Sequence, residues 1–218
     1  MQTVFSTPGG LQLGSIVSGF VADSSHGKID FLDYTAGYWT FLFSHPKDRT
    51  PVCTTEVADI ASQRHEFEAL GVKVLGFSGD SVDDHMGWIA EIEQTFDVKV
   101  SFPIIADPAG KIADRYGMIH PKVSAGECVR KSIVIDPSHR VRFICEYPME
   151  VGRNSAEILR VIRALQLSER HAVATPAAWT PGVPVIIPMA QNNQTATRRF
   201  GQNWVEVLPY LRAVYAPE

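Results

Sequence analysis

The 218-residue sequence predicts an α/β domain with an appended C-terminal arm. Three observations lead there. The middle of the chain alternates short apolar runs with segments of helical periodicity. Two further apolar runs flank Pro137-Ser138-His139, as in a hairpin. After about His171 the periodicity gives way to a stretch dense in proline, at positions 176, 181, 184, 188, 209 and 217. These features place a first domain over residues 1–170 and the arm over 171–218.

In chain order, Tyr38-Trp-Thr-Phe-Leu-Phe-Ser44 is nearly continuous in apolar and aromatic residues, the pattern of a strand covered on both faces. It runs straight into the loop His45-Pro-Lys-Asp-Arg-Thr-Pro-Val-Cys53. A helix then begins, with Thr50 as N-cap and Pro51 at the first helical position, where its missing N–H costs nothing. Val57, Ile60, Ala61, Phe67 and Leu70 continue it at helical spacing, and Gly71 closes it. Val72 to Phe77 is the next strand. Ser81 and Asp84 form the capping box of a second helix whose apolar face is Met86, Ile89, Ile92 and Phe96. Phe102 to Ile105 is a strand, Ala109 to Tyr116 a short helix, and Arg130 to Asp136 and Val141 to Tyr147 the two hairpin strands. Asn154 and Glu157 cap a helix bearing Ile158, Ile162 and Leu165. An arm of the composition that follows buries little of its own surface, so Trp179, Trp204, Val205, Val207 and Leu208 call for a host, and a partner subunit fits that need.

Composition excludes several functions. A net charge of −4 and a pI near 6.0, without any basic run, argue against nucleic acid as a partner. No apolar stretch approaches the roughly 18 to 20 residues of a membrane span. The opening MQTVFSTPGG lacks the basic and apolar regions of a signal peptide, and the expected location is the cytoplasm. Three cysteines, Cys53, Cys128 and Cys145, are an odd number at wide spacing, which points to reduced thiols. No CxxC occurs, so neither a dithiol exchange site nor a cysteine zinc cluster is expected, and no metal site is predicted.

Cys53 carries the chemical signal. At the third position of the first helical turn its sulfur lies beside unsatisfied N–H groups and the positive end of the helix dipole. Thiols so placed, with a cation alongside, ionise well below the usual value of about 8.5. A shift of three units takes roughly 4 kcal/mol. A dipole supplies up to about 2 kcal/mol, so an arginine or similar donor must join it. A buried and inert cysteine is the competing reading of the same position. For a thiolate attacking a peroxide, the site must also hold the O–O bond in line and stabilise charge on the leaving oxygen, which calls for N–H donors, a hydroxyl and a guanidinium. Thr50 offers the hydroxyl, and Pro46 and Pro51 stiffen the loop and shield the sulfur.

The segment Ser44-His-Pro-Lys-Asp-Arg-Thr-Pro-Val-Cys-Thr-Thr-Glu56, with its Pro46-x-x-x-Thr50-x-x-Cys53 core, resembles the active-site loop of peroxiredoxins, and more closely their one-cysteine branch. Phe102-Pro-Ile-Ile, Asp107, Gly117-Met118, Val129-Arg130, Asp136-Pro137 and Tyr147-Pro148-Met149-x-x-Gly152-Arg153-Asn154 fall in the order and spacing of that branch, and the proline-rich tail is similar to its arm. The resemblance implies a thioredoxin-like fold, a central mixed β-sheet flanked by helices, with the active site at the carboxyl ends of the central strands. It implies an antioxidant thiol peroxidase that reduces hydrogen peroxide and small alkyl hydroperoxides without cofactor, through a sulfenic acid regenerated by an external thiol or thiol protein. It also implies a homodimer or a higher ring of dimers.

The resemblance assigns roles residue by residue. Cys53 is the peroxidatic nucleophile, Thr50 and Pro46 orient the peroxide and shield the thiolate, and Arg130 is the activating cation. Arg153 matches a second arginine, which holds the loop or is merely structural. His45 either tunes the sulfur or is a solvated loop histidine. Glu56 reads as an acid favoured by the helix dipole. Cys128 and Arg130 are two apart and share a face if both lie on one strand, which makes Cys128 a candidate resolving cysteine or a small apolar residue at a strand start; Cys145 reads as core. Mammalian members of the branch add a phospholipase serine in Gly-Asp-Ser-Trp-Gly, but the matching stretch here is Ala36-Gly-Tyr38-Trp-Thr40, so that activity does not carry over. Two other readings stay open from the residues: a redox-triggered chaperone or sensor, and a disulfide reductase, the latter disfavoured by the missing CxxC.

Overall fold

The computed structural model describes residues 10–215, so residues 1–9, read above for a leader, and Pro217 lie outside it. The chain divides into two compact units, residues 1–155 and 156–218. The helix that sequence reading attached to the first domain belongs, from Ala156 onward, to the second unit.

The first unit is built on a seven-stranded mixed sheet. Its elements are β1 (Val21–Ser24), β2 (Gly27–Asp30), α1 (Phe31–Thr35), β3 (Trp39–Ser44), α2 (Pro51–Ser62), α3 (Arg64–Ala69), β4 (Val72–Ser78), α4 (Val82–Phe96), β5 (Ile104–Ala106), α5 (Lys111–Arg115), β6 (Arg130–Ile135) and β7 (Val141–Tyr147). The strand order is β2-β1-β5-β4-β3-β6-β7. β3, β4 and β5 run parallel, while β6 returns antiparallel to β3, pairing Phe43 with Ser132. That reversal matters for the site, because it sets the start of β6 beside the end of β3.

All six residues of β3 are buried, as a strand with neighbours on both edges and cover on both faces requires. Phe41 stacks on Phe67 of α3, while Leu42 on the opposite face joins Leu75, Phe77 and Ile133. The expected hairpin is present: Asp136 Oδ1 accepts from the N–H groups of Ser138 and Arg140, and His139 takes a positive φ of 59°.

Three local readings change. The single helix expected from Pro51 to Leu70 is two, because Gln63 leaves helical geometry (φ −92°, ψ 9°). In α4 the capping box of Ser81 and Asp84 is formed and Ile89 and Ile92 are buried, but Met86 and Phe96 are exposed, and His85 and Trp88 occupy the buried face. β1, β2 and α1 escaped the sequence reading because each is only four or five residues long.

The second unit contains α6 (Ser155–His171, from its second residue), β8 (Val185–Ile187), α7 (Asn193–Phe200), β9 (Trp204–Leu208) and β10 (Leu211–Val214). The three strands form an antiparallel sheet in the order β8-β10-β9. The arm therefore does bury surface of its own. Trp179 is 4% exposed among Val173, Val185, Ile187, Ala196 and Val214, and its indole N–H donates to the Val183 carbonyl at 3.0 Å. Val205 and Val207, each 55% exposed, and Leu208 stay open on the edge strand β9.

Candidate active site

Cys53 lies at the third position of α2, with no side-chain exposure to solvent. Thr50 is the N-cap in extended geometry (φ −104°, ψ 145°), but its hydroxyl does not cap the helix: it donates to the Lys47 carbonyl at 2.9 Å. The hydroxyl lone pairs are thus left to accept from a ligand. Pro46 is buried beside the loop, and Pro51 occupies the first helical position as expected.

The antiparallel return of β6 brings Arg130 to this turn. Its Nε and Nη2 donate to the Met149 carbonyl at 3.0 and 2.8 Å, which leaves Nη1 to donate to Cys53 Sγ at 3.2 Å and to Glu56 Oε2 at 2.6 Å. A guanidinium so forked has little rotational freedom, and its charge is presented at a fixed place beside the sulfur.

Glu56 is the residue that sequence reasoning undervalued. It is more than an acid favoured by the dipole of its helix: it is buried, and its carboxylate joins both arginines. Oε1 accepts from the backbone N–H and Nε of Arg153 at 2.8 and 2.9 Å. Arg153, fully buried, also donates from Nη2 to the Ser44 carbonyl at 2.5 Å and lies over the Phe43 ring. It thereby ties β3 to α2. Burial pulls the Arg153 pKa down, and the Glu56 carboxylate opposes this.

His45 is fully buried, so the solvated reading of it fails. Its Nε2 meets Asp48 Oδ1 at 2.7 Å, and His85 Nδ1 of α4 meets the other oxygen at 2.6 Å. One buried carboxylate thus bridges two imidazoles. Burial raises the Asp48 pKa, but the hydrogen bonds from His45 and His85 prevail and hold it at about 2. For His45 burial is the largest influence and lowers its pKa. His45 Nδ1 and His85 Nε2 have no hydrogen-bond partner among the described residues, Cys53 included. Asp48 and His85 were not singled out in the sequence. His45, Asp48 and Asp80 have ligand atoms within 4.8 Å of one another, but these are already engaged: Asp80 Oδ2 accepts from the Asp48 N–H and from Ser78.

Cys128 is 2% exposed and lines a cleft of about 420 Å³ with Pro46, Lys47, Asp80, Asp107 and Glu127. Burial first, and then the carboxylates of Asp107, Asp80 and Glu127, push its thiol up to about 12. A thiol held protonated is a poor nucleophile toward a sulfenic acid. Tyr38, at the position of the mammalian serine, borders a different cavity of about 240 Å³ with Tyr34, Arg64 and Lys73, at the end of β3 and β4 remote from Cys53.

The chain is similar to known proteins along most of its length. Residues 14–144 match the AhpC/TSA family, and residues 164–203 match the C-terminal domain of 1-Cys peroxiredoxin. The mitochondrial peroxiredoxin PRX1 of Saccharomyces cerevisiae is 44% identical over 209 residues, 93% of this chain and 80% of that protein. The 1-Cys peroxiredoxin of Dictyostelium discoideum is 40% identical over 95% of this chain and 86% of its own. Among solved structures, a peroxiredoxin 6 of Arenicola marina, as a cysteine-to-serine mutant, superposes with a TM-score of 0.90 at 36% identity, covering 96% of this chain and 100% of that one. The yeast mitochondrial 1-Cys peroxiredoxin, solved for its thiol resolution by glutathione and thioredoxin systems, superposes with a TM-score of 0.87 at 42% identity, covering 94% and 99%.

Proposed function

Because this chain belongs to the AhpC/TSA family, in its 1-Cys peroxiredoxin branch, it is a thiol-dependent peroxidase, and we propose the following roles for its residues. The Cys53 thiolate attacks the terminal peroxide oxygen; an S–O bond forms as the O–O bond breaks, and the displaced alkoxide or hydroxide takes up a proton to leave as alcohol or water. Thr50 accepts the peroxide O–H while Arg130 stabilises charge on sulfur and on the leaving oxygen. Pro46 keeps bulk water from the thiolate. Glu56 and Arg153 hold Arg130 and the first turn of α2 in register. The observation that carries these assignments is the 3.2 Å contact from Arg130 Nη1 to Cys53 Sγ, on a guanidinium fixed by Met149 and Glu56.

A protein with one such cysteine needs an outside thiol to complete its cycle. The raised pKa of Cys128 favours an external reductant of the glutathione or thioredoxin kind over an internal disulfide. Free cysteines throughout favour a reducing compartment, the cytoplasm in our reading. Association as a homodimer is supported by the apolar residues that β9 leaves exposed on a sheet edge, Val205 and Val207 among them. The deciding experiment is stopped-flow tryptophan fluorescence of reduced protein mixed with hydrogen peroxide, followed by intact mass. Rapid single-site oxidation that disappears in Cys53→Ser supports the assignment; oxidation no faster than that of a free thiol defeats it.

A further inference from the structure

Cys53 has no exposed surface, so a reductant as large as a thiol peptide reaches its oxidised sulfur only when the turn around it opens. What pins that turn therefore governs the second half of the cycle. Both residues just before the Thr50 N-cap are anchored on α4. Asp48 binds His85 from inside, and Arg49 lies across the outside of the helix.

The seat of Arg49 has three features that stand out together. Arg49 Nε donates to both oxygens of Glu91, at 3.0 and 3.2 Å, while Nη1 is 3.9 Å from Asp84. Its backbone takes a positive φ of 55°, a conformation that a non-glycine residue adopts only where its surroundings hold it. Between the two carboxylates stands Gly87, a residue unfavourable inside a helix. A Cβ on Gly87 would come within 2.5 Å of Arg49 Nη2, so the missing side chain is what lets the guanidinium rest there. Unlike the buried Asp48 anchor, this one is solvent-exposed, with 44% of the Arg49 side chain accessible, and its strength answers to salt and to substitution.

We propose that Arg49, clasped over Gly87 by Glu91 and Asp84, sets how often the oxidised Cys53 turn opens to thiols, and hence how its sulfenic acid is partitioned. This rests on the peroxidase reading above. In the closed turn a second peroxide converts Cys53–SOH to the sulfinic acid, releasing alcohol or water. In the open turn a thiol R′SH displaces water to form Cys53–S–S–R′, and a second R′SH releases R′S–SR′ and restores the Cys53 thiol. The clasp thus trades exposure to over-oxidation against speed of repair.

The test uses the full chain with Arg49→Gln, Arg49→Lys and Gly87→Ala, the last of which displaces the guanidinium while favouring the helix. Sulfenic Cys53 is mixed with dithiothreitol or with glutathione, and sulfinic product per turnover is read by intact mass. Arg49→Gln and Gly87→Ala are expected to be reduced up to about five-fold faster, the range an exposed pair allows, and to over-oxidise less by the same factor. Oxidation by the first peroxide stays at the parental rate, Arg49→Lys falls between, and added salt speeds reduction of the parent but not of Arg49→Gln. Parental reduction rates in both variants, or slower ones, overturn the clasp while leaving the peroxidase intact. A parent that peroxide does not oxidise rapidly overturns the peroxidase reading, and the clasp with it.

Discussion

Glu56→Gln is the substitution that most directly tests how this site is held together. The carboxylate lies between two buried guanidiniums, 2.6 Å from Arg130 Nη1 and 2.9 Å from Arg153 Nε, and it also accepts the Arg153 backbone N–H at 2.8 Å. Glutamine has the same shape, but it removes the charge and turns one acceptor into a donor facing N–H groups. Breaking a buried ion pair by removing one partner costs about 3–5 kcal/mol. Domains of this kind hold roughly 5–15 kcal/mol in all, so the loss is a large fraction of the total. At about 2–4 °C per kcal/mol for a chain of this length, the melting temperature should fall by about 6–20 °C.

The same change should slow the chemistry. Arg130 keeps its two bonds to Met149, but the contact that aims Nη1 toward the sulfur is lost. If the misaimed guanidinium forfeits one charge-assisted hydrogen bond, worth about 1.5–3 kcal/mol, oxidation by hydrogen peroxide slows by roughly 10- to 150-fold. Calorimetry and stopped-flow tryptophan fluorescence read the two effects separately, and Glu56→Asp, which keeps the charge, should lie between parent and Glu56→Gln in both. A Glu56→Gln protein that melts with the parent and is oxidised within a factor of two of it would refute the idea that this carboxylate organises the site.

Other outcomes follow from the same geometry. Arg130→Lys keeps the charge but loses the fork onto Met149, so peroxide oxidation should drop by about 10- to 100-fold, with a smaller loss of melting temperature than Glu56→Gln because the ion pair survives; a parental rate would show that charge alone suffices. Cys128→Ser should cycle with an external thiol as the parent does, whereas loss of an intramolecular disulfide on mass analysis would make Cys128 the resolving residue. Acid should weaken the fold in two stages, because the His45 pKa is lowered and that of Asp48 is held at about 2. The unfolded chain takes up a histidine proton near 6.5 and an aspartate proton near 3.9 that the native state resists, so stability is full above about pH 7, declines below about 6.5, and declines again from about pH 4 toward 2. His45→Asn should flatten the first stage and Asp48→Asn the second in a calorimetric pH series, and unchanged slopes would remove both assignments. Val205→Asp with Val207→Asp should shift a homodimer to monomer in light scattering; an unaltered mass would place the subunit contact elsewhere.

How much of this was legible depended on range. The Cys53 turn was readable because every signal in it is local: Thr50, Pro51 and Cys53 lie within four residues, and capping rules act at that distance. Glu56 carried a readable signal that was given too little weight, since a residue three beyond Cys53 on a helix shares its face. His85 was missed because only apolar residues were counted on α4, although 85, 88, 89 and 92 make one helical stripe and all four are buried. The arm misled through its prolines. Pro184 and Pro188 bracket β8, a strand of three residues, and its sheet partners β9 and β10 have only five and four, too few to show a period.

The pairing of Arg130 with Cys53 is of another kind. The two lie 77 residues apart, and nothing in either neighbourhood points to the other. They meet because the chain, after laying β4 and β5 on one side of β3, crosses back and runs β6 antiparallel on the other. An antiparallel return puts the first residue of the incoming strand level with the last residues of β3, and the helix carrying Cys53 starts from that end. Had β6 run parallel to β3, Arg130 would sit at the opposite end of the sheet, some five residues or about 17 Å away. The reactivity assigned to Cys53 is therefore a property of strand order as much as of its own helix. Local sequence places the sulfur at a helix start; the crossing between β5 and β6 delivers its cation.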